Sequence, residues 1–123
     1  MQVEVNSLLE GLMVYWKEVN DASRYYVHLL IGNRIRIAEF EEKFEIRYQE
    51  IKMVECDRFT KTYSFKDLSP INKVTSSCCI TNSETSYNYY VFVEAENKEG
   101  KIIETSNKIL GRIAILKEGS YRL

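Results

Sequence analysis

Residues 89–100 read YYVFVEAENKEG and carry the clearest strand signal in the chain. Their side chains alternate at a period of two, which is typical of a β-strand with one face in a core. The face predicted to lie in the core carries Tyr89, Val91, Val93 and Ala95. The opposite face carries Tyr90, Phe92 and Glu94. The polar residues 97–100 then predict a turn, with a last strand running on from Ile102.

Two earlier segments alternate in the same way. In the first, the residues predicted to face the core are Leu12, Val14 and Trp16. In the second they are Tyr25, Val27, Leu29 and Ile31, and the outward face carries Tyr26, His28 and Leu30. Gly32 and Asn33 tolerate a positive φ and predict a tight hairpin turn, after which residues 34–37 form the returning strand.

The pattern between residues 38 and 86 is less decisive. Phe40, Phe44, Tyr48 and Ile51 are spaced as on one face of a helix, whereas Phe44, Ile46 and Tyr48 alternate as in a strand. No capping residue precedes the acidic run at 39–42 and no glycine ends the segment, which favours strands over about residues 44–55 with one helical turn near residue 41. A strand is also predicted over 59–65, and the polar stretch 71–86 is predicted to be a long connection that carries one short strand or turn.

Several short strands separated by turns predict an antiparallel all-β sandwich or barrel. The chain has 123 residues, which is the length of one domain, and it shows no internal repeat or linker. We therefore expect a single domain over residues 1–123.

Several of these segments resemble the fibronectin type III domain, an immunoglobulin-like β-sandwich. The motif Tyr89-x-Val91-x-Val93-x-Ala95-x-Asn97-x-x-Gly100, followed by Ser106-x-x-Ile109, is similar to the family's last two strands. The motif Leu12-x-Val14-x-Trp16 resembles the family's second strand, and Tyr25-x-Val27 resembles its third. Leu68-x-Pro70 is similar to the bend ahead of the family's corner tyrosine, a role that the resemblance assigns to Tyr89.

The resemblance implies an immunoglobulin-like (fibronectin type III-like) antiparallel β-sandwich with enlarged middle strands and loops, because residues 38–57 and 71–86 exceed the family pattern. It places the domain's core at about residues 8–110, followed by a C-terminal extension over 111–123. The structural core is then expected to comprise Leu12, Val14, Trp16, Tyr25, Val27, Leu29, Leu68, Tyr89, Val91, Val93 and Ala95.

Composition and residue types argue against several functions. Lys plus Arg number 17 against 18 Asp plus Glu, and this balance is unlike that of a nucleic-acid-binding protein. No apolar run is long enough to span a membrane. The three cysteines are Cys56 and the adjacent pair at 78 and 79, a poor disulfide framework that indicates a reducing compartment. We expect no binding to nucleic acid or membrane.

Catalysis is not expected either. His28 is the only histidine, and the sequence indicates no partner that would complete a Ser-His-Asp triad with it. The chain also has no second imidazole to bind a metal. No glycine-rich phosphate loop is present. We expect no enzyme activity, and no metal, cofactor or small-molecule ligand.

The outward aromatic residues suggest a binding surface. Tyr26, His28, Leu30, Tyr90 and Phe92 fall on neighbouring strands of the expected sandwich and form one candidate protein interface, since aromatic residues are enriched at interfaces. The alternative is ordinary cross-strand pairing on a solvated sheet. In the C-terminal extension, Ile113 and Ile115 share a face that either packs over the domain's own core or joins a neighbouring subunit.

We therefore expect a non-catalytic structural or interaction protein with protein partners in a larger assembly. Ile, Lys, Asn and Tyr make up 39 of the 123 residues, a bias typical of an AT-rich genome. Together with the lack of an export signal, this favours a bacteriophage virion component, capsid-decorating or tail-associated, made in the host cytoplasm. The alternative is a spacer or adhesion module of a bacterial surface protein or of a secreted carbohydrate-active protein.

Overall fold

The computed structural model describes residues 1–36, 43–71 and 86–115, and these form eight β-strands with no helix among them. The strands are β1 (Val3–Leu8), β2 (Gly11–Trp16), β3 (Arg24–Arg36), β4 (Phe44–Asp57), β5 (Thr62–Phe65), β6 (Ser86–Glu96), β7 (Ile102–Thr105) and β8 (Ile109–Gly111). The strand alternative for residues 44–55 is confirmed, while the helical turn expected near residue 41 lies outside the described residues.

The strands form two antiparallel sheets. A three-stranded sheet has the order β1-β2-β5, and a five-stranded sheet has the order β4-β3-β6-β7, with β8 also pairing with β6. The expectation of an all-β chain with antiparallel sheets is confirmed, and the arrangement is compatible with an immunoglobulin-like sandwich.

One buried core joins the two sheets. The three-stranded sheet contributes Leu12, Val14, Trp16 and Phe65. The five-stranded sheet contributes Tyr25, Val27, Leu29, Cys56, Tyr89, Val91, Val93 and Ala95. Leu68, which sequence placed in the core, is half-buried and packs against it. Each large apolar side chain buried in this way contributes about 1.5–3 kcal/mol.

Two tyrosine hydroxyls form hydrogen bonds with the backbone of segments between strands and so hold these segments against the core. The hydroxyl of Tyr89 donates a hydrogen bond to the carbonyl oxygen of Ser69 at 2.5 Å, across the bend that follows β5, as the resemblance implied. Burial raises the pKa of Tyr89 above its ordinary value. The hydroxyl of Tyr25 accepts a hydrogen bond from the backbone N–H of Val19 at 3.0 Å, while its ring lies 5.6 Å from that of Trp16.

The predicted turn at Gly32 and Asn33 is wrong, and so is the returning strand at 34–37. β3 runs without interruption to Arg36 and pairs with β4 on one side and β6 on the other. The glycine serves a different purpose: a Cβ at Gly32 would lie only 2.3 Å from Cε2 of Tyr90. Gly32 is therefore required for the close approach of an aromatic ring, whereas a positive φ is found at Gly100, in the turn after β6.

The chain turns much later than expected, so β3 and β4 are long. They have 13 and 14 residues, which corresponds to about 43–46 Å at roughly 3.3 Å per residue. β5 has four residues and begins at Thr62, later than the predicted 59. The delay has a local cause, because Oδ1 of Asp57 accepts hydrogen bonds from the backbone N–H groups of Phe59 and Thr60, both at 2.9 Å.

Both ends of the described chain belong to the sandwich. β1 begins at Val3, five residues before the start near residue 8 that the resemblance implies for the core. At the other end, Ala114 donates to the carbonyl of Leu8 at 2.9 Å and accepts from the N–H of Glu10 at 2.7 Å. Ile113 packs against the core, while Ile115 is exposed. These contacts favour packing on the domain's own core for residues 112–115; residues 116–123 lie outside the described part.

Candidate interaction face

The five-stranded sheet turns one face away from the core, and we call this the outer face. Residues directly opposite one another on antiparallel strands share a face. His28 pairs with Met53 on β4 and with Phe92 on β6, and Leu30 pairs with Glu50 and Tyr90. Tyr26 pairs with Glu55 and Glu94. The structure thus brings the five predicted interface residues of β3 and β6 onto one surface.

Two of those residues are not available to a partner. His28 is 7% exposed and Leu30 is 4% exposed, so the expectation that they are surface residues is wrong. The reason is that side chains from both neighbouring strands close over His28. Glu50 contacts its Nδ1, Glu94 contacts its Nε2, and the ring of Phe92 stacks on it at 4.1 Å between centroids.

We call His28, Glu50, Glu94 and Phe92 the His28 cluster, and its contacts hold neighbouring strands together. Both ring nitrogens of His28 are in contact with a carboxylate, one from each neighbouring strand. The histidine then links β4, β3 and β6 through their side chains. Lys108 adds a further charge, with its Nζ 5.6 Å from the centre of the Phe92 ring. The ring nitrogens are occupied and buried, so the imidazole is poorly placed to act on a substrate.

One end of the outer face is polar. Arg24 lies 3.5 Å from a carboxylate oxygen of Glu55 and 3.8 Å from one of Glu96. A hydrogen bond with Glu96 raises the pKa of Tyr26, and a hydrogen bond with Tyr26 raises the pKa of Arg24. Tyr26 is thus engaged in a charged network at the surface.

The other end of the outer face is apolar and exposed. Phe44, Ile46 and Tyr48 alternate along β4 and are 41%, 37% and 41% exposed. The ring of Tyr48 meets that of Tyr90 edge to face at 5.1 Å, and burial raises the pKa of Tyr90. Leu110 of β8, directly opposite Tyr90, is also exposed. We call Phe44, Ile46, Tyr48, Tyr90 and Leu110 the apolar end.

A β-bulge sets the composition of this face. The pairing of β3 with β4 shifts between Leu29 and Leu30, which leaves Ile51 as an extra residue on β4. An extra residue reverses which side chains face outward. Tyr48 and Met53 therefore lie on the same face although they are five positions apart, a spacing that puts two residues of a regular strand on opposite faces. Met53 adds another exposed apolar side chain.

Sequence reasoning missed the β4 part of this face. The alternation of Phe44, Ile46 and Tyr48 was visible, but it was used to choose between helix and strand and was not treated as a surface pattern. Nothing local indicated which face of β4 would lie beside Tyr90, since that depends on the register with β3.

The remaining chemistry is sparse in the part of the chain that the structure describes. No group of three or more His, Cys, Asp or Glu side chains within it is arranged to hold a metal ion. Burial raises the pKa of the Cys56 thiol, which lowers its reactivity. Cys78 and Cys79 fall outside the described residues. In the ranges that are described, no helix is long and apolar enough to cross a membrane.

Comparison with models of known protein families finds no match to this chain. Comparison with curated protein sequences likewise finds no significant similarity.

Proposed function

We propose that this protein is a non-catalytic interaction domain that binds a protein partner through the apolar end of its outer face. The observation that carries the proposal is the row of three half-exposed apolar side chains, Phe44, Ile46 and Tyr48, on one face of one strand. Contiguous exposed apolar surface of this kind marks interaction sites on soluble domains. Aromatic residues and methionine are the types enriched where proteins bind one another.

The surroundings of the apolar end support this proposal. Arg34 lies over the ring of Phe44, with its guanidinium carbon 3.9 Å from the ring centre, and Nζ of Lys108 lies 5.0 Å from that of Tyr48. These cations flank the apolar side chains, an arrangement typical of an interface with an apolar centre and a polar rim. The His28 cluster, farther along the same face, links the side chains of β4, β3 and β6, so the surface is largely preformed.

We further propose that the fold is of the fibronectin type III type. The order β1-β2-β5 against β4-β3-β6-β7 supports this, because the family's sandwich places its first, second and fifth strands in one sheet. The hydrogen bond from Tyr89 to Ser69 supports it as well. The fold itself is used for many functions, so the binding proposal rests on the face and not on the family.

The setting that we propose for this binding is a multi-subunit particle, specifically a bacteriophage virion to which the domain attaches as a decorating or tail-associated subunit. The AT-rich residue bias supports this setting.

Site-specific photo-crosslinking tests the proposed face. A photoreactive phenylalanine analogue replaces Tyr48 in one variant and Phe59 in a control, in the cells that make the protein. Phe59 is 75% exposed on the turn after β4, so it reports on random encounters. We expect position 48 to yield a covalent product with a different protein and position 59 to yield none. Equal products from the two positions, or none from position 48, would contradict the proposal; the latter would favour a spacer module.

A further inference from the structure

β4 forms an open edge of the five-stranded sheet. Among the described residues it pairs with β3 alone, along its whole length of 14 residues. The backbone groups on the far side of such a strand are free to pair with another strand, which is why exposed edges associate unless something prevents it. The sequence of β4 itself indicates which strand can pair with this edge.

Residues 43–49, KFEIRYQ, are complementary to themselves when two copies run antiparallel. With the two-fold axis at Ile46, Ile46 of one copy lies opposite Ile46 of the other. Phe44 then lies opposite Tyr48, and Glu45 lies opposite Arg47. Because the axis repeats each pair, the contact contains two aromatic pairs and two ion pairs. Directly opposite residues of these types attract one another on adjacent strands.

The aromatic pairs and the ion pairs lie on opposite faces of the strand. The exposed Phe44, Ile46 and Tyr48 occupy the outer face, while Glu45 and Arg47 project from the opposite face, where both side chains are more than half exposed. Within one copy the charges of Glu45 and Arg47 lie 3.9 Å apart, at the long limit of an ion pair. A second copy would give each of them an additional partner of opposite charge directly across the strand.

Other registers fit less well. With the axis at Tyr48, Ile46 lies opposite Glu50 and Arg47 lies opposite Gln49, so no ion pair forms. With the axis at Ile51, Lys52 lies opposite Glu50 and Arg47 lies opposite Glu55, but Glu45 lies opposite Asp57. The bulge at Ile51 also interrupts the edge at the axis itself, so the pairs on its two sides do not stay in one register. The regular segment from Phe44 to Gln49 avoids both defects.

We propose that two copies of this chain pair through their β4 edges in the register centred on Ile46. The result is one continuous sheet that crosses both copies, with two-fold symmetry and the same surface contributed by each. Backbone hydrogen bonds give this mode its affinity, and the alternate side chains give it selectivity. The proposal goes beyond the binding of a partner protein and does not depend on it. Pairing through the edge leaves the outer face open and joins the two apolar ends into one larger surface.

Charge reversal tests the register. Glu45→Arg places arginine opposite Arg47 at two symmetric points, and Arg47→Glu places glutamate opposite Glu45. The double variant Glu45→Arg/Arg47→Glu restores opposite charges across the axis. Glu99→Arg, an exposed position in the turn after β6, is the matched control. Circular dichroism establishes that each variant is folded.

The readout is the dimer dissociation constant of the purified chain by sedimentation equilibrium. We expect a reversible dimer whose dissociation constant rises about tenfold or more in each single reversal, because like charges across an interface are strongly unfavourable. It should return close to the original value in the double variant and stay unchanged in the control. A chain that remains monomeric at millimolar concentration would overturn the proposal, and so would a dimer indifferent to the single reversals. Because only purified chain is used, failure here leaves the crosslinking result with another protein unaffected, and the reverse also holds.

Discussion

Gly32→Ala tests the finding that β3 passes under an aromatic ring where the sequence indicates a turn. The new methyl group would lie 2.3 Å from Cε2 and 2.6 Å from Cδ2 of Tyr90. Carbon atoms make contact at about 3.5–4.0 Å, so the ring must move by about 1.2 Å or more. Its movement disturbs the edge-to-face contact with Tyr48.

The expected loss of stability follows from three contributions. Forced repacking costs about 1–3 kcal/mol. Weakening the contact between Tyr48 and Tyr90 costs up to about 0.5–1.5 kcal/mol. Reduced freedom of the unfolded chain offsets about 0.4–1 kcal/mol of this. We expect a net destabilisation of about 1–3 kcal/mol, centred near 2 kcal/mol.

A double-mutant cycle with Tyr90→Ala isolates the cause. Urea unfolding gives the free energy of unfolding for the original chain, each single variant and the double variant. In the Tyr90→Ala background Gly32→Ala should cost much less, because the ring is gone and only Cγ2 of Ile46, at 3.2 Å, still lies close to the new methyl group. Gly100→Ala is the control: its φ of 79° makes alanine unfavourable in both backgrounds alike. An equal cost of Gly32→Ala in both backgrounds would refute the close-approach explanation for this glycine.

Three further predictions concern stability. Trp16→Ala should lower the free energy of unfolding by about 3–5 kcal/mol, measured by urea unfolding, because it removes a large buried side chain from the core; a loss below about 1 kcal/mol would contradict the core assignment. Deleting residues 112–123 should lower Tm or cause aggregation, while deleting 116–123 should have the smaller effect, because the first removes the Ala114 hydrogen bonds; equal Tm values would contradict this. The hydrogen bonds from Thr60 and Phe59 hold the pKa of Asp57 below its usual value, so their stabilisation is present at neutral pH and lost as pH falls through that lowered pKa. Asp57→Asn should reduce the loss of unfolding free energy at acid pH. The same loss in the variant as in the original chain would contradict this role of Asp57.

Local patterning predicted the strands whose two faces differ most in burial. The alternation around Trp16, Tyr25 and Val91 was informative because each strand has one face in the core. β1 carries a weaker version of the same signal: Val3 and Val5 are half-buried against the core. That alternation was available in the sequence but was not used.

The features that were missed depend on residues far apart in the chain. The purpose of Gly32 is set by Tyr90, and the burial of His28 is set by Glu50 and Glu94. Composition and spacing do not reveal such contacts until the register of β3 with its two neighbours is known. The bulge at Ile51 acts in the same way, because it decides which side chains of β4 join the outer face.

Incorporation into the native assembly measures whether the apolar end of the outer face binds a protein partner. Leu110→Asp and Phe59→Asp each place one carboxylate at an exposed position, the first within the apolar end but away from the β4 edge, and the second outside the apolar end. Each variant competes with the original chain during assembly in the cells that make the protein, and mass spectrometry of the purified complex gives the ratio. We expect Phe59→Asp to be incorporated like the original chain and Leu110→Asp to be depleted about tenfold or more, since a buried unpaired carboxylate is costly. Equal incorporation of the two folded variants would contradict it.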